Sequence, residues 1–256
     1  MIHLSRTLAD WQARRTALSG RTLGFVPTMG ALHAGHAALV ERARAENQNV
    51  AVSIFVNPSQ FNDPNDLARY PNTLDADLHL LTTLGVSDVF LPTAADLYPH
   101  GYRYRIEPNT TPVLEGAFRP GHLQGVLTVV LKLLNLVRAR RAYFGEKDFQ
   151  QLQLVTELAE EFFIPTEIVP CPTVREASGL ALSSRNLRLP PAARDRAATL
   201  YRALTTSATP AEARAVLEAA GFTVDYVDDR WDRRLAAAHL GGVRLIDNVP
   251  LSGISK

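Results

Sequence analysis

Short apolar runs alternate with amphipathic segments along most of the chain. The runs that predict strands are "TLGFVP" at 22–27, "VAVSIFV" at 50–56, "DVFL" at 88–91, "AYFG" at 142–145 and "TEIVP" at 166–170. Helical spacing of apolar residues is found at 8–18, 35–46, 73–84, 122–138 and 148–162. Because "VAVSIFV" lacks polar alternation, it predicts a strand covered on both faces, as in a parallel sheet. The pattern therefore predicts an α/β fold built on a doubly wound parallel sheet.

The pattern changes beyond Pro190. An Ala- and Arg-rich helix is predicted through about residue 206 and a second one near 210–220, followed by the runs "FTVDYV", "RRLAAAHL" and "VRLIDNV". These three runs predict a small antiparallel unit with a hairpin turn at Gly241–Gly242. The segment 174–188 follows neither period, so we place a domain boundary there.

Composition excludes several classes of protein. The 256 residues include 27 Lys and Arg against 26 Asp and Glu, a net charge of +1. This balance lacks the bulk attraction typical of a dedicated nucleic-acid binder. The longest apolar stretch, 125–137, is interrupted by Lys132 and Asn135 and is too short to cross a bilayer. We therefore expect neither a nucleic-acid partner nor a membrane.

Cysteine usage points to a reducing compartment. Cys171 is the only cysteine, so no intramolecular disulfide and no cysteine cluster for zinc can form. The first twenty residues carry Asp10, Arg14 and Arg15 where a signal peptide would need an unbroken apolar segment. We expect a cytoplasmic protein.

Two histidines follow the first predicted strand. In doubly wound sheets, ligands bind outside the carboxyl ends of the strands. The stretch "PTMGALHAGH" brings His33 and His36 to the start of a helix, where free N–H groups and the helix dipole favour an anion. Three interpretations stay open: histidines bonded to backbone or solvent, a metal site, and a phosphate site. No third ligand stands at a diagnostic spacing for a metal.

Polar residues also follow two later strands. Asn57 and Gln60, in "FVNPSQFNDPND", carry amides that can donate and accept at once, which suits a substrate with hydroxyl and carboxylate groups. The stretches "NP" and "DPND" are turn formers, so a purely structural loop remains an alternative. After "AYFG", Lys147 suits a phosphate and Asp148 a helix cap or a ribose, with Gln151 three residues further on. A solvated helix start is the alternative for "GEKD".

The boundary segment itself carries a polar cluster. Ser183, Ser184 and Arg185 in "LALSSRNLRL" combine two hydroxyls, backbone amides and a guanidinium, a set suited to clamp a polyphosphate. Such loops are also common on surfaces. We expect all these segments to converge at one edge of the sheet.

Taken together, these stretches resemble a known family, the pantothenate synthetases, which are ATP-dependent ligases that join pantoate to β-alanine. The matching stretches are "VPTMGALHAGH", "VSIFVNPSQF", "LARYPNTL", "LEGAFRPGHLQGV", "FGEKDFQQL", "PTVREASGLALSSRN" and "RLIDN", spread from Val26 to Asn248. The "HAGH" stretch alone indicates only the wider nucleotidyltransferase superfamily with its HxGH motif.

The resemblance implies a fold, a reaction and an assembly. The implied fold is a Rossmann-like domain for nucleotide and pantoate at 1–174, followed by a smaller α+β lid domain at 175–256 that carries the "SSR" clamp. The implied reaction forms pantoyl adenylate and pyrophosphate from pantoate and ATP, after which β-alanine displaces AMP to give pantothenate. Mg²⁺ is implied, held mainly by the triphosphate, as is a homodimer.

The resemblance also implies roles for individual residues. Those implied to contact ATP are Met29, Gly30, Ala31, Leu32, His33, Ala34, Gly35, His36, Gly145, Glu146, Lys147, Asp148, Val174, Leu182, Ser183, Ser184 and Arg185. Catalytic roles are implied for His36, the family's proton donor, and for His33 and Lys147. Gln60 and Gln151 are implied to bind pantoate, and Gln60 also β-alanine.

Five further positions receive no definite role. Some relatives have metal ligands where this chain has Ala76, Asp77 and Leu80; only Asp77 is acidic, so no protein ligand to a metal is predicted. Arg119 and His122 stand in "RPGH", which in the family lines the same cavity.

Two other functions agree less well with the sequence. A nucleotidyltransferase that stops after attaching AMP to a phosphorylated substrate would need basic side chains where this chain has the neutral amides of Gln60 and Gln151. A binding protein without catalysis would not need both histidines, Lys147 and the "SSR" cluster. The ligase remains the preferred hypothesis.

Overall fold

A parallel sheet carries the first half of the predicted chemistry. In a computed structural model that describes residues 2–254, its strands are β1 (His3–Ser5), β2 (Leu23–Thr28), β3 (Asn49–Ile54), β4 (Asp88–Phe90), β5 (Arg141–Gly145) and β6 (Glu167–Cys171). Their order is β1-β4-β3-β2-β5-β6, and every neighbouring pair is parallel. The predicted doubly wound parallel sheet is confirmed. The edge strand β1 was not predicted, because three residues are too few to show a period.

The sheet is buried because both faces of its central strands are apolar. Leu23 to Thr28 pair in register with Asn49 to Ile54. Val26, Val52 and Val89 on neighbouring strands are fully buried in one core together with Val40 of a covering helix. Helices cover both faces of the sheet, which explains why its central strands are continuously apolar.

Helices separate the strands. They are α1 (Leu8–Ala17), α2 (Ala34–Glu46), α3 (Pro64–Ala68), α4 (Leu74–Thr83), α5 (Ala94–Leu97), α6 (Glu115–Phe118), α7 (His122–Val137) and α8 (Phe149–Glu161). Thr7 and Asp10 form a capping box at the start of α1. No helix within residues 2–254 is long and apolar enough to span a membrane.

The chain divides into two compact units. The first contains the residues up to Gly145 together with Gln150–Cys171, and the second contains Glu146–Phe149 together with the residues from Pro172 onward. The segment predicted to be the start of a helix at 148 is a 3-10 helix, Glu146–Asp148, followed by α8. The division into a nucleotide-binding domain and a lid stays a prediction.

In the second unit, helices precede an antiparallel sheet. The elements are α9 (Pro191–Ala197), α10 (Thr199–Thr206), α11 (Pro210–Ala219), β7 (Thr223–Arg230), β8 (Arg233–Leu240) and β9 (Val243–Pro250), with the sheet in the order β7-β8-β9. The single helix predicted through residue 206 is therefore wrong, since the helix is interrupted at Ala198. Thr199 begins the second piece, and its hydroxyl accepts a hydrogen bond from Arg202.

The predicted hairpin turn is confirmed. Gly241 and Gly242 both have positive φ, 57° and 77°, between the paired residues Leu240 and Val243. Two successive residues in this region of φ are what a type I′ hairpin turn needs. The buried faces of this sheet and of α10 and α11 form a core of their own.

Candidate active site

The centre of the sheet contains the position at which a doubly wound fold binds its ligand. β2 pairs with β3 on one side and with β5 on the other, so the strand order reverses between β2 and β5. A crevice outside the carboxyl ends of such a pair is the usual ligand site. Residues 29–36 leave β2 at this point, and Gly145 is the last residue of β5.

A buried aspartate holds the loop after β2. Gly30 and Ala31 both have positive φ, 79° and 51°, an arrangement that costs energy for the alanine. The Asp77 carboxylate accepts from the N–H of Ala31 at 3.0 Å and of Leu32 at 2.8 Å, and from the Thr73 hydroxyl at 3.2 Å. Asp77 is only 3% exposed. It therefore fixes the conformation of the loop that leads to the two histidines.

The same contacts decide whether Asp77 suits a metal. Each of its oxygens already accepts one backbone N–H, and the Thr73 hydroxyl lies within reach of both. Within residues 2–254, no group of three or more His, Cys, Asp and Glu side chains is placed to hold a metal ion. Asp77 does not fit the role of a magnesium ligand.

His33 and His36 cap helix α2 reciprocally. Nδ1 of His33 accepts from the N–H of Gly35 at 3.1 Å, and Nδ1 of His36 accepts from the N–H of His33 at 3.3 Å. The two ring centroids lie 4.1 Å apart. The sequence predicted both residues at this helix start; that one histidine would be its N-cap was not predicted, since Ser, Thr, Asp and Asn are the usual caps.

These hydrogen bonds define the tautomer of both rings. An Nδ1 that accepts from a backbone N–H carries no proton of its own, so each neutral ring has its proton on Nε2. Both His33 and His36 can therefore act as hydrogen-bond donors through Nε2, without the permanent charge of an imidazolium.

Gln60 ends a short 3-10 helix, Pro58–Gln60, that follows β3. Its Nε2 donates to the sulfur of Met29 at 2.9 Å, and its Oε1 accepts from Nδ2 of Asn57 at 3.3 Å. A thioether is a weak acceptor. The Gln60 amide is therefore held in one orientation while its N–H remains able to exchange its partner for a stronger acceptor.

Helix α7 supports this 3-10 helix directly. The buried Asn57 also donates to the carbonyl of Gly125 at 3.2 Å, and Nδ1 of His122 donates to the carbonyl of Gln60 at 2.7 Å. A Cβ atom added to Gly125 would lie 2.3 Å from the carbonyl oxygen of Ser59. The 3-10 helix can approach α7 only because residue 125 has no side chain.

Sequence reasoning missed Gly125, which it placed only in an apolar run. Asn57 was indicated with Gln60 as an amide suited to a substrate, but its contact with Gly125 was not predicted. A glycine inside a strongly helical pattern is a recognised signal of close packing, so Gly125 was detectable. No role was predicted for His122, which donates a hydrogen bond to the backbone carbonyl of Gln60.

Arg119 joins the segment before α7 to the loop after Gln60. Its Nε donates to Asn62 at 3.2 Å and its Nη1 to Glu115 at 3.3 Å. In α8, Gln150 is buried and bonds the backbone of Val113 and Glu115, whereas the predicted residue Gln151 is half-buried. A pantoate contact for Gln151 stays a prediction.

In the second unit, Lys147 lies in the 3-10 helix Glu146–Asp148. Its ammonium is 3.7 Å from the Asp148 carboxylate, and its side chain is 17% exposed. The carbonyls of Glu146 and Lys147 both accept from the side-chain amide of Asn248. The backbone of this segment is therefore tied to β9.

The "SSR" stretch is an ordered turn of the second unit. Ser183 caps the 3-10 helix Ser184–Arg188, and its hydroxyl accepts from the N–H of Arg185 at 3.3 Å. The N–H of Leu182 donates to the carbonyl of Val174 at 3.0 Å, so these two predicted ATP contacts are joined. Whether the residues of the two units meet around one nucleotide stays a prediction.

Comparison with known proteins identifies the family. A family model described as pantoate–β-alanine ligase matches residues 1–250. A pantothenate synthetase of Bdellovibrio bacteriovorus is 55% identical over 252 residues, 98% of this chain and 100% of the relative. The chain belongs to the pantoate–β-alanine ligase family. A pantothenate synthetase of Coxiella burnetii is 47% identical, with 98% of each chain covered.

A solved structure of a pantoate–β-alanine ligase has the same fold. The enzyme of Francisella tularensis, described as complexed with β,γ-ATP and β-alanine, superposes with a TM-score of 0.94 at 42% identity over 98% of each chain. The prediction of an enzyme of the pantoate–β-alanine ligase family, with a doubly wound α/β fold followed by a smaller α+β part, is confirmed. The roles of the individual residues are not tested by these similarities.

Proposed function

We propose that this enzyme condenses pantoate with β-alanine at the expense of ATP through a pantoyl-adenylate intermediate. A carboxylate oxygen of pantoate attacks the α-phosphorus of ATP, and the bond to pyrophosphate breaks. The neutral amine of β-alanine then attacks the acyl carbon, the bond between this carbon and the AMP oxygen breaks, and the amine proton passes to solvent, leaving pantothenate and AMP. Membership of the family and the ATP and β-alanine of the Francisella enzyme support this reaction.

The observation that carries the proposal is the reciprocal histidine cap at the carboxyl end of β2. Positioning and charge stabilisation supply most of the catalysis in such a phosphoryl transfer. His33 and His36 each have an Nε2–H to donate to phosphate oxygens, and the start of α2 adds its dipole. We assign the proton-donor role to His36, with His33 beside it.

Both units contribute to ATP in this proposal. Residues 29–36 and Gly145 of the first unit contact the nucleotide, the latter at the ribose. The second unit contributes Glu146, Lys147, Asp148, Val174, Leu182, Ser183, Ser184 and Arg185. Lys147, the two serines and Arg185 contact phosphates, Asp148 the ribose and Val174 the adenine.

Gln60 and Gln151 bind pantoate, and Gln60 also contacts β-alanine. A hydroxyl or carboxylate oxygen of pantoate replaces the Met29 sulfur as acceptor for the Gln60 N–H, because an oxygen is the stronger partner. This exchange is favourable only if Gln60 is already oriented, which the Asn57 contact provides.

Magnesium enters with the nucleotide in this proposal. The Asp77 oxygens are used by the loop after β2, so the triphosphate oxygens are the principal ligands. When bound there, Mg²⁺ neutralises part of the phosphate charge. The homodimer and the cytoplasmic location implied by the family stay predictions.

The test is to incubate the purified protein with ATP, Mg²⁺, pantoate and β-alanine and to identify the products by mass. We expect pantothenate, AMP and pyrophosphate, and pantoyl adenylate when β-alanine is omitted. Formation of ADP and phosphate, or AMP transfer to a phosphorylated substrate in preference to pantoate, would contradict the proposal.

Gln60→Ala should raise the KM for pantoate and leave the KM for ATP nearly unchanged.

A further inference from the structure

The short segment that carries Lys147 is held by one side chain of β9. Nδ2 of Asn248 donates to the carbonyl of Glu146 at 2.8 Å and to that of Lys147 at 3.0 Å. Both protons of one amide therefore bind two successive carbonyls. Asn248 is 2% exposed, so water does not compete for these bonds.

A guanidinium of β8 completes this support. Nη1 of Arg233 donates to Oδ1 of Asn248 at 2.7 Å, and Nη2 donates to the Glu146 carboxylate at 2.6 Å. The guanidinium also lies 4.3 Å from the centre of the Phe149 ring. Arg233 therefore orients the Asn248 amide and binds residues on both sides of Lys147.

The residue before Asn248 fixes the strand at this point. The Asp247 carboxylate forms a bidentate ion pair with Arg175, at 2.6 and 2.9 Å. It also accepts a hydrogen bond from the N–H of Asn248 at 2.8 Å. Arg175 donates in addition to the Asn248 carbonyl at 3.2 Å. Asn248 is consequently held from its backbone as well as from its side chain.

Lys147 needs such support for a physical reason. A 3-10 helix of three residues has weak internal hydrogen bonds and rarely persists alone. A lysine ammonium is a point charge on a flexible stem, so its position depends on where its backbone is held. A misplacement of about 1 Å in a catalytic group can cost about 100-fold in rate.

We propose that Asn248 and Arg233 are positioning residues, which place the Lys147 ammonium for adenylate formation by fixing the carbonyls of residues 146 and 147. The inference rests on the proposed function of Lys147. It adds to that proposal two residues outside the sets assigned to ATP and pantoate.

The principal variant is Asn248→Asp, which keeps the size of the side chain and an oxygen for Arg233 but removes both donated protons. We expect single-turnover adenylate formation to slow by roughly 10- to 100-fold, while the KM for pantoate stays within about twofold. Arg233→Lys keeps the charge opposite Glu146 but loses the planar guanidinium that donates to Asn248 and Glu146 at once. It should slow the same step. It provides a second route if Asn248→Asp does not fold.

The matched control is Arg214→Ala. Arg214 also binds two successive carbonyls in the second unit, those of Val224 and Asp225, both at 3.0 Å. Its removal should lower the unfolding midpoint without slowing adenylate formation. An equal loss of rate in this variant would mean that the effect is general destabilisation, and would overturn the inference.

A double-variant cycle separates this inference from the proposed function. If Asn248 acts through Lys147, adding Asn248→Asp to Lys147→Ala should slow the reaction no further. Additive slowing, or a normal rate in Asn248→Asp and Arg233→Lys beside a slow Lys147→Ala, would overturn the inference alone. A normal rate in Lys147→Ala would instead refute the proposed role of Lys147.

Discussion

At the scale of single residues, Asp77 has a role that its sequence context left open. No definite role was predicted for it, and its carboxylate holds a strained loop. The residue type and its place in the chain were readable from the sequence. The partners were not, because the N–H groups of Ala31 and Leu32 come from a loop that lies 46 and 45 residues away along the chain.

Asp77→Asn should loosen this loop. The amide keeps one accepting oxygen but presents an NH₂ group to a backbone N–H, so one of the two bonds is lost and a donor faces a donor. A hydrogen bond to a charged group contributes about 1.5–3 kcal/mol. We expect a loss of that order in urea unfolding, together with slower adenylate formation.

Asp75→Asn is the control for Asp77→Asn. Asp75 is exposed in the same first turn of α4, so it shares the favourable position near the helix start. Asp75→Asn should lower the free energy of unfolding by only about a few tenths of a kcal/mol and leave the rate of adenylate formation unchanged. Equal effects from the two variants would show that the helix dipole, not the loop, explains the result.

At the scale of elements, close packing between α7 and the 3-10 helix of Gln60 determines where the backbone of Gln60 lies, and with it the pantoate site proposed above. An alanine in a helix interior normally stabilises the folded state by about 0.5–1 kcal/mol relative to a glycine. At Gly125 the added Cβ would meet backbone atoms of Ser59 and Gln60 at 2.3–2.7 Å. Backbone cannot rotate away as a side chain can, so the 3-10 helix must shift.

Gly125→Ala should therefore raise the KM for pantoate, with little change in the KM for ATP, as measured in steady-state kinetics. Gly116→Ala in α6 is the control, because its nearest contact is a Leu123 side-chain atom at 3.4 Å. A normal pantoate KM in Gly125→Ala would mean that the shift does not reach the Gln60 amide.

The elements also show where sequence patterns lose information. Long apolar runs predicted β2 and β3, and the glycine pair predicted the turn between β8 and β9. The strand β1, with three residues, has no period to detect. The turn between β7 and β8 was equally hidden, because Trp231 and Asp232 adopt positive φ without a glycine to indicate it.

At the scale of the whole molecule, the fold and the kinds of site residue could be predicted, and the supporting contacts could not. Alternating strands and helices follow from local spacing. The bonds of Asn248 to residues 146 and 147, and of Gly125 to Asn57, join segments that are distant along the chain. Without the topology, nothing in their local sequence identifies these partners.

The stability of the chain at alkaline pH should depend on Tyr143. Its hydroxyl donates to Glu46 at 2.9 Å and accepts from Asn47 at 2.7 Å, which joins β5 to the end of α2. Burial, reinforced by the bond to Glu46, raises the pKa of Tyr143 to about 12. An unfolded tyrosine has a pKa of about 10.

Because the folded-state pKa is the higher one, Tyr143 stabilises the chain fully below about pH 10 and loses this contribution as the pH rises through about 12. In urea unfolding, the difference between the wild type and Tyr143→Phe should be constant from pH 7 to 9 and shrink above about pH 10. A difference that grows with pH would contradict this assignment.

The chain enters the second unit at Glu146 and returns to the first at Gln150, long before it enters the second unit again at Pro172. No single cut therefore yields both units intact. A fragment that ends at Cys171 keeps Lys147 but loses the β8 and β9 residues that bind its backbone, and a fragment that starts at Pro172 keeps those residues with nothing to bind. Separating the chain at this junction would therefore part Lys147 from the side chain that binds its backbone carbonyl.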